Sequence, residues 1–171
     1  MTPDRPGDVQ VATVPGAALP RRMAEMGVQL VRLRRFTLKG TEERDLHRHR
    51  VQIATPERCL MDCVTHLDLA GGALGLSRML ARAHESLDWM QLARMAGALP
   101  RGASAMRRVG ALLEILGLDC PAPVLEAASS ARRPPIPLDT LGVLPNDGPV
   151  LERWDVALNV SSEAIREEVW R

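Results

Sequence analysis

Aromatic side chains are scarce in this chain of 171 residues, which contains no tyrosine, one phenylalanine and three tryptophans. A hydrophobic fraction of 46% is nevertheless typical of a globular protein. The core must therefore be built mainly from leucine, valine, isoleucine, methionine and alanine. Because RNA-binding modules and single-strand binders stack bases on aromatic side chains, this composition argues against those two classes of protein.

Long hydrophobic runs and export signals are also missing. No apolar stretch approaches the roughly 20 residues that span a bilayer. The first ten residues, MTPDRPGDVQ, have neither the basic nor the apolar segment of a signal peptide. The cysteines, Cys59, Cys63 and Cys120, are an odd set, which suits a reducing compartment better than a disulfide framework. These features predict a cytoplasmic protein with no membrane partner.

Sequence motifs that mark common active sites are absent. The chain has no GxGxxG, GxxxxGK[ST], HExxH or GxSxG motif. His47, His49, Cys59, Cys63 and His66 lie within 20 residues, but they lack the CxxC spacing that is typical of zinc sites. We therefore expect no enzyme activity, catalytic residue, metal, cofactor or small-molecule substrate, and we interpret Cys59 and Cys63 as small core residues.

Hydrophobic periodicity predicts an α/β (α+β) fold in a single domain, 1–171. Its β-rich part is 1–54, its helical part is 55–120, and 121–171 holds a strap, a final strand and a terminal helix. Strands are predicted at 9–14, 28–36, 49–54 and 154–160, with a polar turn at 39–45. We expect a small mixed sheet packed on a bundle of about four helices, with the C-terminal strand returning to the sheet.

The helical part begins at a clear start signal. Thr55 can serve as N-cap, Pro56 suits the first helical position and Glu57 complements the helix dipole. A buried face is predicted from helical spacing of Leu60, Cys63, Val64 and Leu67, up to a stop at Gly71-Gly72.

Further helices follow in the same part of the chain. Leu76, Met79, Leu80 and Ala83 repeat the apolar spacing, and Ser86 is predicted to cap the next helix. Another helix is predicted at 103–116, with Met106, Val109, Leu113 and Leu116 inward and Gly117 as its stop.

Charge is unevenly distributed along the chain. Residues 1–110 hold 17 basic and 11 acidic residues, whereas 111–171 hold 5 basic and 10 acidic residues. If several arginines converge, they would form a surface that contacts nucleic acid or a protein partner. The candidates are Arg32, Arg34, Arg35, Arg78, Arg82, Arg101, Arg107 and Arg108. The alternative is that they are ordinary solvated side chains paired with nearby carboxylates.

Several segments together resemble the C-terminal domain of the AbiEi family, the bacterial abortive-infection (phage-defence) antitoxins that include transcriptional regulators. The resemblance covers DVQVATVPG, GVQLVRLRRFTLKG, VQIATPERCLMDCVTH, AMRRVGALLEILG, IPLDT and RWDVALNV, in that order. Its signature residues are Pro56, Glu57, Arg58 and Asp62, and Arg58 can pair with Asp62 four residues later.

The resemblance implies a non-enzymatic antitoxin domain of a toxin–antitoxin system. It would counteract a cognate nucleotidyltransferase-type toxin of the AbiEii kind, with or without a stable complex. Family members usually begin with a winged helix-turn-helix that binds DNA. No such pattern precedes the first strand of this sequence, so we expect the antitoxin domain alone. The alternative is a DNA-binding transcriptional regulator, or a fragment of one, that uses the arginine-rich surface.

Overall fold

A computed structural model of the chain describes residues 9–13, 21, 28–32, 39–46, 49–129, 134–141 and 148–170. The described residues form α-helices and short β-sheets, which confirms the predicted mixed α/β class. Parts of the predicted strands at 9–14 and 28–36, and also Arg34, Arg35 and His47, lie outside the described residues. No helix within the described ranges is long and apolar enough to cross a membrane.

The chain divides into two compact units, Met1–Lys39 and Gly40–Arg171. In the first unit, β1 (Val9–Thr13) pairs in parallel with β2 (Val28–Arg32). Their register places Val9 opposite Val28 and Thr13 opposite Arg32. These two strands lie within the segments predicted as strands.

The second unit begins with a hairpin, β3 (Thr41–Leu46) and β4 (His49–Ala54). The prediction of a polar turn at 39–45 is therefore wrong, whereas the strand at 49–54 is confirmed. Charged residues fit β3 because the hairpin is largely exposed and its charged side chains pair along its surface. Arg44 contacts Glu42 at 2.7 Å, and Arg50 contacts Glu43 at 3.4 Å.

Six α-helices of the described residues follow the hairpin. Their bounds are α1 Pro56–Thr65, α2 Gly72–Ala83, α3 Trp89–Gly97, α4 Gly102–Leu116, α5 Ala122–Ala128 and α6 Ser162–Trp170.

Helix α1 starts as predicted and ends earlier. The Thr55 side chain accepts a hydrogen bond from the Arg58 backbone N–H at 3.3 Å, and Pro56 is the first helical residue. The helix ends at Thr65, not at Gly71, and a 3₁₀ turn covers Leu67–Ala70. Gly71, at φ 76°, redirects the chain and α2 begins at once. Two adjacent glycines thus join two helices, because glycine adopts the left-handed conformation without steric strain.

The predicted cap of α3 is also corrected. Asp88, not Ser86, is its N-cap, and the Asp88 carboxylate accepts from the Gln91 backbone N–H at 2.9 Å. The Ser86 hydroxyl instead donates to the Ala83 carbonyl at the end of the preceding helix. Both residue types are good caps, so composition alone did not distinguish them.

The C-terminal strand joins a separate small sheet. Strand β7 (Val156–Ala157) lies between β5 (Ile136–Pro137) and β6 (Val150–Leu151). It is shorter than the predicted strand at 154–160, and among the described residues it does not return to the N-terminal strands. Both edges of β7 are already paired, in parallel with β5 and antiparallel with β6.

Helix α4 runs through the hydrophobic core of the second unit. The predicted inward residues Met106, Val109, Leu113 and Leu116 are all buried, and Gly117 ends the helix at φ 69°. The predicted buried face of α1, which is Leu60, Cys63, Val64 and Leu67, is buried as well. The other five helices, α1, α2, α3, α5 and α6, all pack against α4, so α4 is the central helix of the unit.

Candidate functional site

Arg107, a candidate contact residue in the sequence, lies inside the protein with its side chain only 3% exposed. Its Nε donates to the Trp154 carbonyl at 2.6 Å, and its Nη2 donates to the carbonyls of Pro134, at 3.2 Å, and Asp155. The Asp155 carboxylate lies 3.7 Å from the same guanidinium nitrogen. Arg107 therefore joins α4 to the chain around β5 and β7, and it cannot face a partner.

Trp154 packs across α4 next to Arg107. A Cβ atom placed on Gly110 would lie 2.2 Å from the Trp154 ring, so only glycine allows this approach. The indole N–H donates to the Glu114 carboxylate at 2.7 Å, and the Arg153 guanidinium lies 5.2 Å from the centre of the Trp154 ring. Sequence reasoning missed this contact, although a tryptophan in a chain with few aromatics was a signal for it.

Asp139 and Asn159 join the chain after β5 to the chain after β7. The Asn159 side chain accepts from the Asp139 backbone N–H at 2.9 Å and donates to the Asp139 carbonyl at 2.8 Å. The Asp139 carboxylate accepts from the backbone N–H groups of Ala73, at 2.6 Å, and Leu141, at 2.7 Å. An acidic residue from a distant segment therefore binds the first turn of α2, where its charge is favourable.

Three of the residues that carry the resemblance, Glu57, Arg58 and Asp62, have structural partners. The Arg58 Nε lies 2.8 Å from the Asp62 carboxylate, and both side chains are largely buried, with 13% and 28% exposed. Glu57 is buried, and its carboxylate accepts from the Asp88 backbone N–H at 3.0 Å and from the Gln91 side chain at 3.2 Å. The first turn of α1 is thereby tied to the start of α3.

The candidate arginines of the second unit lie at three separate places. Arg78 pairs with Glu168 of α6 at 3.0 Å. Arg82 lies beside this pair, and Arg78, Arg82 and Trp170 line a cavity of about 140 Å³. Arg107 is interior. Arg101 and Arg108 share a further pocket. Arg32 belongs to β2 of the first unit.

The pocket of Arg101 and Arg108 has a volume of about 320 Å³. Arg101 precedes α4, and Arg108 lies two turns into it, with its Nε donating to the Pro137 carbonyl at 3.0 Å. Ser104 and Thr140 also line the pocket, and Ile136 and Pro137 of β5 supply its apolar wall. Burial lowers the pKa of Arg108, and the nearby positive charge of Arg101 lowers it further.

The cysteines of α1 differ in exposure. Cys63 is buried as predicted, whereas Cys59 is exposed, so the interpretation of Cys59 as a core residue is wrong. A hydrogen bond from the Cys63 thiol lowers the pKa of Cys59 to about 7, and the same bond together with burial raises the pKa of Cys63. Within the described ranges, no group of three or more histidine, cysteine or acidic side chains is placed to hold a metal ion.

Comparison of this chain with protein-family models, with curated proteins and with solved structures finds no match.

Proposed function

We propose that this chain is a non-enzymatic antitoxin domain of the AbiEi type that counteracts a nucleotidyltransferase-type toxin of the AbiEii kind. One observation carries the proposal: segments that were singled out for their resemblance, although far apart in the sequence, form one contact network. Residues 105–117, 136–140 and 153–160 are joined through Arg107, Arg108 and Trp154.

The fourth segment, 51–66, belongs to the same assembly. Its helix α1 packs against α4, and its signature pair Arg58–Asp62 is largely buried. Buried pairs and caps hold a scaffold, so the signature residues support the fold of an antitoxin domain and do not mark the surface that meets the toxin.

The test is co-expression of the chain with its neighbouring reading frame in a bacterial host. We expect the neighbour to stop growth alone and the pair to restore it. A Gly110→Val variant should fail to rescue, because its side chain collides with the Trp154 ring. The matched control is Gly97→Val, since a Cβ at Gly97 meets nothing within 4 Å. A harmless neighbour, or a toxic one that the wild-type chain does not rescue, would contradict the proposal.

Co-purification of the two proteins then separates two kinds of antitoxin. A complex that survives gel filtration would indicate that the antitoxin neutralises the toxin by direct contact. Rescue without a complex would indicate that the antitoxin acts on the product or the expression of the toxin. Both results keep the antitoxin function.

The alternative function is binding of DNA as a transcriptional regulator. The observation in its favour is that Arg82 and Arg101 are exposed and make no ion pair with the described residues. Charge reversal of Arg82 and Arg101 should then weaken binding to the upstream DNA and reduce the salt dependence by about one unit for each lost phosphate contact. Arg107 is unsuited to this test because it is interior.

A further inference from the structure

The pocket of Arg101 and Arg108 combines positive charge with unused hydrogen-bond donors. The Arg101 guanidinium has no hydrogen bond or ion pair with the described residues, and Arg108 commits only its Nε, to the Pro137 carbonyl. The hydroxyls of Ser104 and Thr140 are likewise uncommitted among the described residues. The Thr65 hydroxyl differs, since it already donates to the Met61 and Asp62 carbonyls.

The Asp139 carboxylate acts on Arg108, and its two oxygens accept backbone N–H groups from Ala73 and Leu141. It makes no ion pair with Arg101 among the described residues. Asp155 faces Arg107 at 3.7 Å. The charge of Arg101 is therefore left without a partner among the described residues, and it lies near a second guanidinium.

Two guanidinium groups close together repel each other unless an anion lies between them. A phosphate group suits this position because its oxygens accept several N–H bonds from arginine forks. The pocket also lies at the start of α4, whose dipole adds positive potential. Its volume of about 320 Å³ is at the small end of ligand pockets, and Ile136 and Pro137 offer an apolar wall for an organic group.

We propose that the pocket of Arg101, Ser104, Arg108 and Thr140 is a binding site for the phosphate group of a small molecule. Arg101 and Arg108 hold the phosphate oxygens, the two hydroxyls donate to them, and β5 contacts the attached organic group. The proposal does not depend on the antitoxin function.

The experiment is calorimetric titration of the full chain with inorganic phosphate, with adenosine monophosphate and with adenosine, at constant ionic strength. We expect both phosphates to bind and adenosine not to bind. Tighter binding of the nucleotide would identify a phosphomonoester that uses the apolar wall, and equal binding would identify free phosphate. Tighter binding of the nucleotide supports the whole proposal, whereas equal binding supports the phosphate site and contradicts the contact of β5 with an organic group.

Variants connect the binding to the pocket. Arg101→Gln should weaken phosphate binding about tenfold, since it removes charge-assisted hydrogen bonds. Arg101 is exposed and unpaired among the described residues, so this variant should fold normally. Arg94→Gln is the matched control: it removes the same charge from an exposed position on α3 and should bind like the wild type.

Several outcomes would overturn the proposal. These are unchanged phosphate binding by Arg101→Gln, equal loss of binding in Arg94→Gln, equal stabilisation by chloride and phosphate in thermal unfolding, or binding of adenosine as tight as that of the nucleotide. A short DNA duplex that binds through Arg101 while both small phosphates fail to bind would assign the pocket to a nucleic-acid backbone instead.

Discussion

Arg107 is a buried cation whose hydrogen bonds go mainly to backbone carbonyl groups. Its guanidinium donates to the carbonyl oxygens of Pro134, Trp154 and Asp155. These residues belong to two chain segments that pair through β5 and β7. A guanidinium suits this position because its planar fork can serve several acceptors at once. One side chain thus joins the two segments and supplies a donor for the carbonyl of the buried Trp154.

Replacement of Arg107 should therefore destabilise the protein strongly. We expect Arg107→Met to lower the free energy of unfolding by about 3 kcal/mol, because it leaves the carbonyl of the buried Trp154 without its donor and the Asp155 carboxylate without its cation. Arg107→Lys should fall between this variant and the wild type, since an ammonium keeps the charge but not the fork. Urea unfolding measures both. Arg94→Met, at an exposed position, is the control. An equal loss of unfolding free energy at the two positions would show that the hydrogen bonds of Arg107 do not stabilise the fold.

The exposed thiol of Cys59 should be unusually reactive near neutral pH. Its pKa is lowered to about 7 by the hydrogen bond from Cys63, so its thiolate forms as the pH rises through about 7. Burial raises the pKa of Cys120, which should therefore react later. We expect the alkylation of Cys59 by iodoacetamide to follow this pH dependence in a mass-spectrometric assay.

Substitution of Cys63 tests the cause of this shift. Cys63→Ala removes the donor, so the pKa of Cys59 should rise toward the ordinary thiol value and alkylation at pH 7 should slow roughly fivefold, after allowance for the higher nucleophilicity of a more basic thiolate. Cys63→Ser keeps a donor and should keep the low pKa. If the two variants gave the same profile, the hydrogen bond would not be the cause.

Helix α3 illustrates how an element is held at its start. The Asp88 side chain caps the helix through Gln91, while the Asp88 backbone N–H donates to the buried Glu57 of α1. The start of α3 is therefore connected both to its own first turn and to the first turn of another helix. Because Asp88 makes both of these hydrogen bonds, the position of α3 depends on α1.

Substitutions at the observed cap Asp88 and at the predicted cap Ser86 should have unequal effects. We expect Asp88→Ala to reduce the free energy of unfolding by about 1 kcal/mol, because an orphan N–H loses its acceptor. Asp88→Asn keeps a capping oxygen and should be close to the wild type. Ser86→Ala should change little, since the Ser86 hydroxyl contacts only the exposed end of α2. Thermal unfolding measures all three, and a larger effect at Ser86 would restore the original assignment.

At the scale of the molecule, the buried hydrophobic core of the described residues belongs to the second unit. The buried hydrophobic residues run from Leu60 to Ile165, which lies within Gly40–Arg171. We therefore expect a chain of residues 40–171 to unfold cooperatively by itself, with helical circular dichroism and a single thermal transition. A chain without a cooperative transition would show that the first 39 residues are needed for this core.

Local features of this protein were predictable from its sequence. The cap at Thr55, the buried faces of α1 and α4, the stop at Gly117 and the pairing of Arg58 with Asp62 depend on residues within about four positions of one another. Interactions of this range are present in any helical conformation of the segment, so spacing alone reveals them.

The burial of Arg107, the sheet that β7 joins and the capping of α2 by Asp139 were not predictable in this way. Asp139 lies 66 residues from Ala73, whose N–H it accepts, and Arg107 is 47 residues from Trp154. An arginine looks the same in sequence whether it is solvated or buried, and an unpaired strand edge selects its partner only when other segments have packed. Contacts that form only in the folded chain therefore decide that Arg107 is interior, that Arg78 is paired and that Arg101 and Arg108 line a pocket.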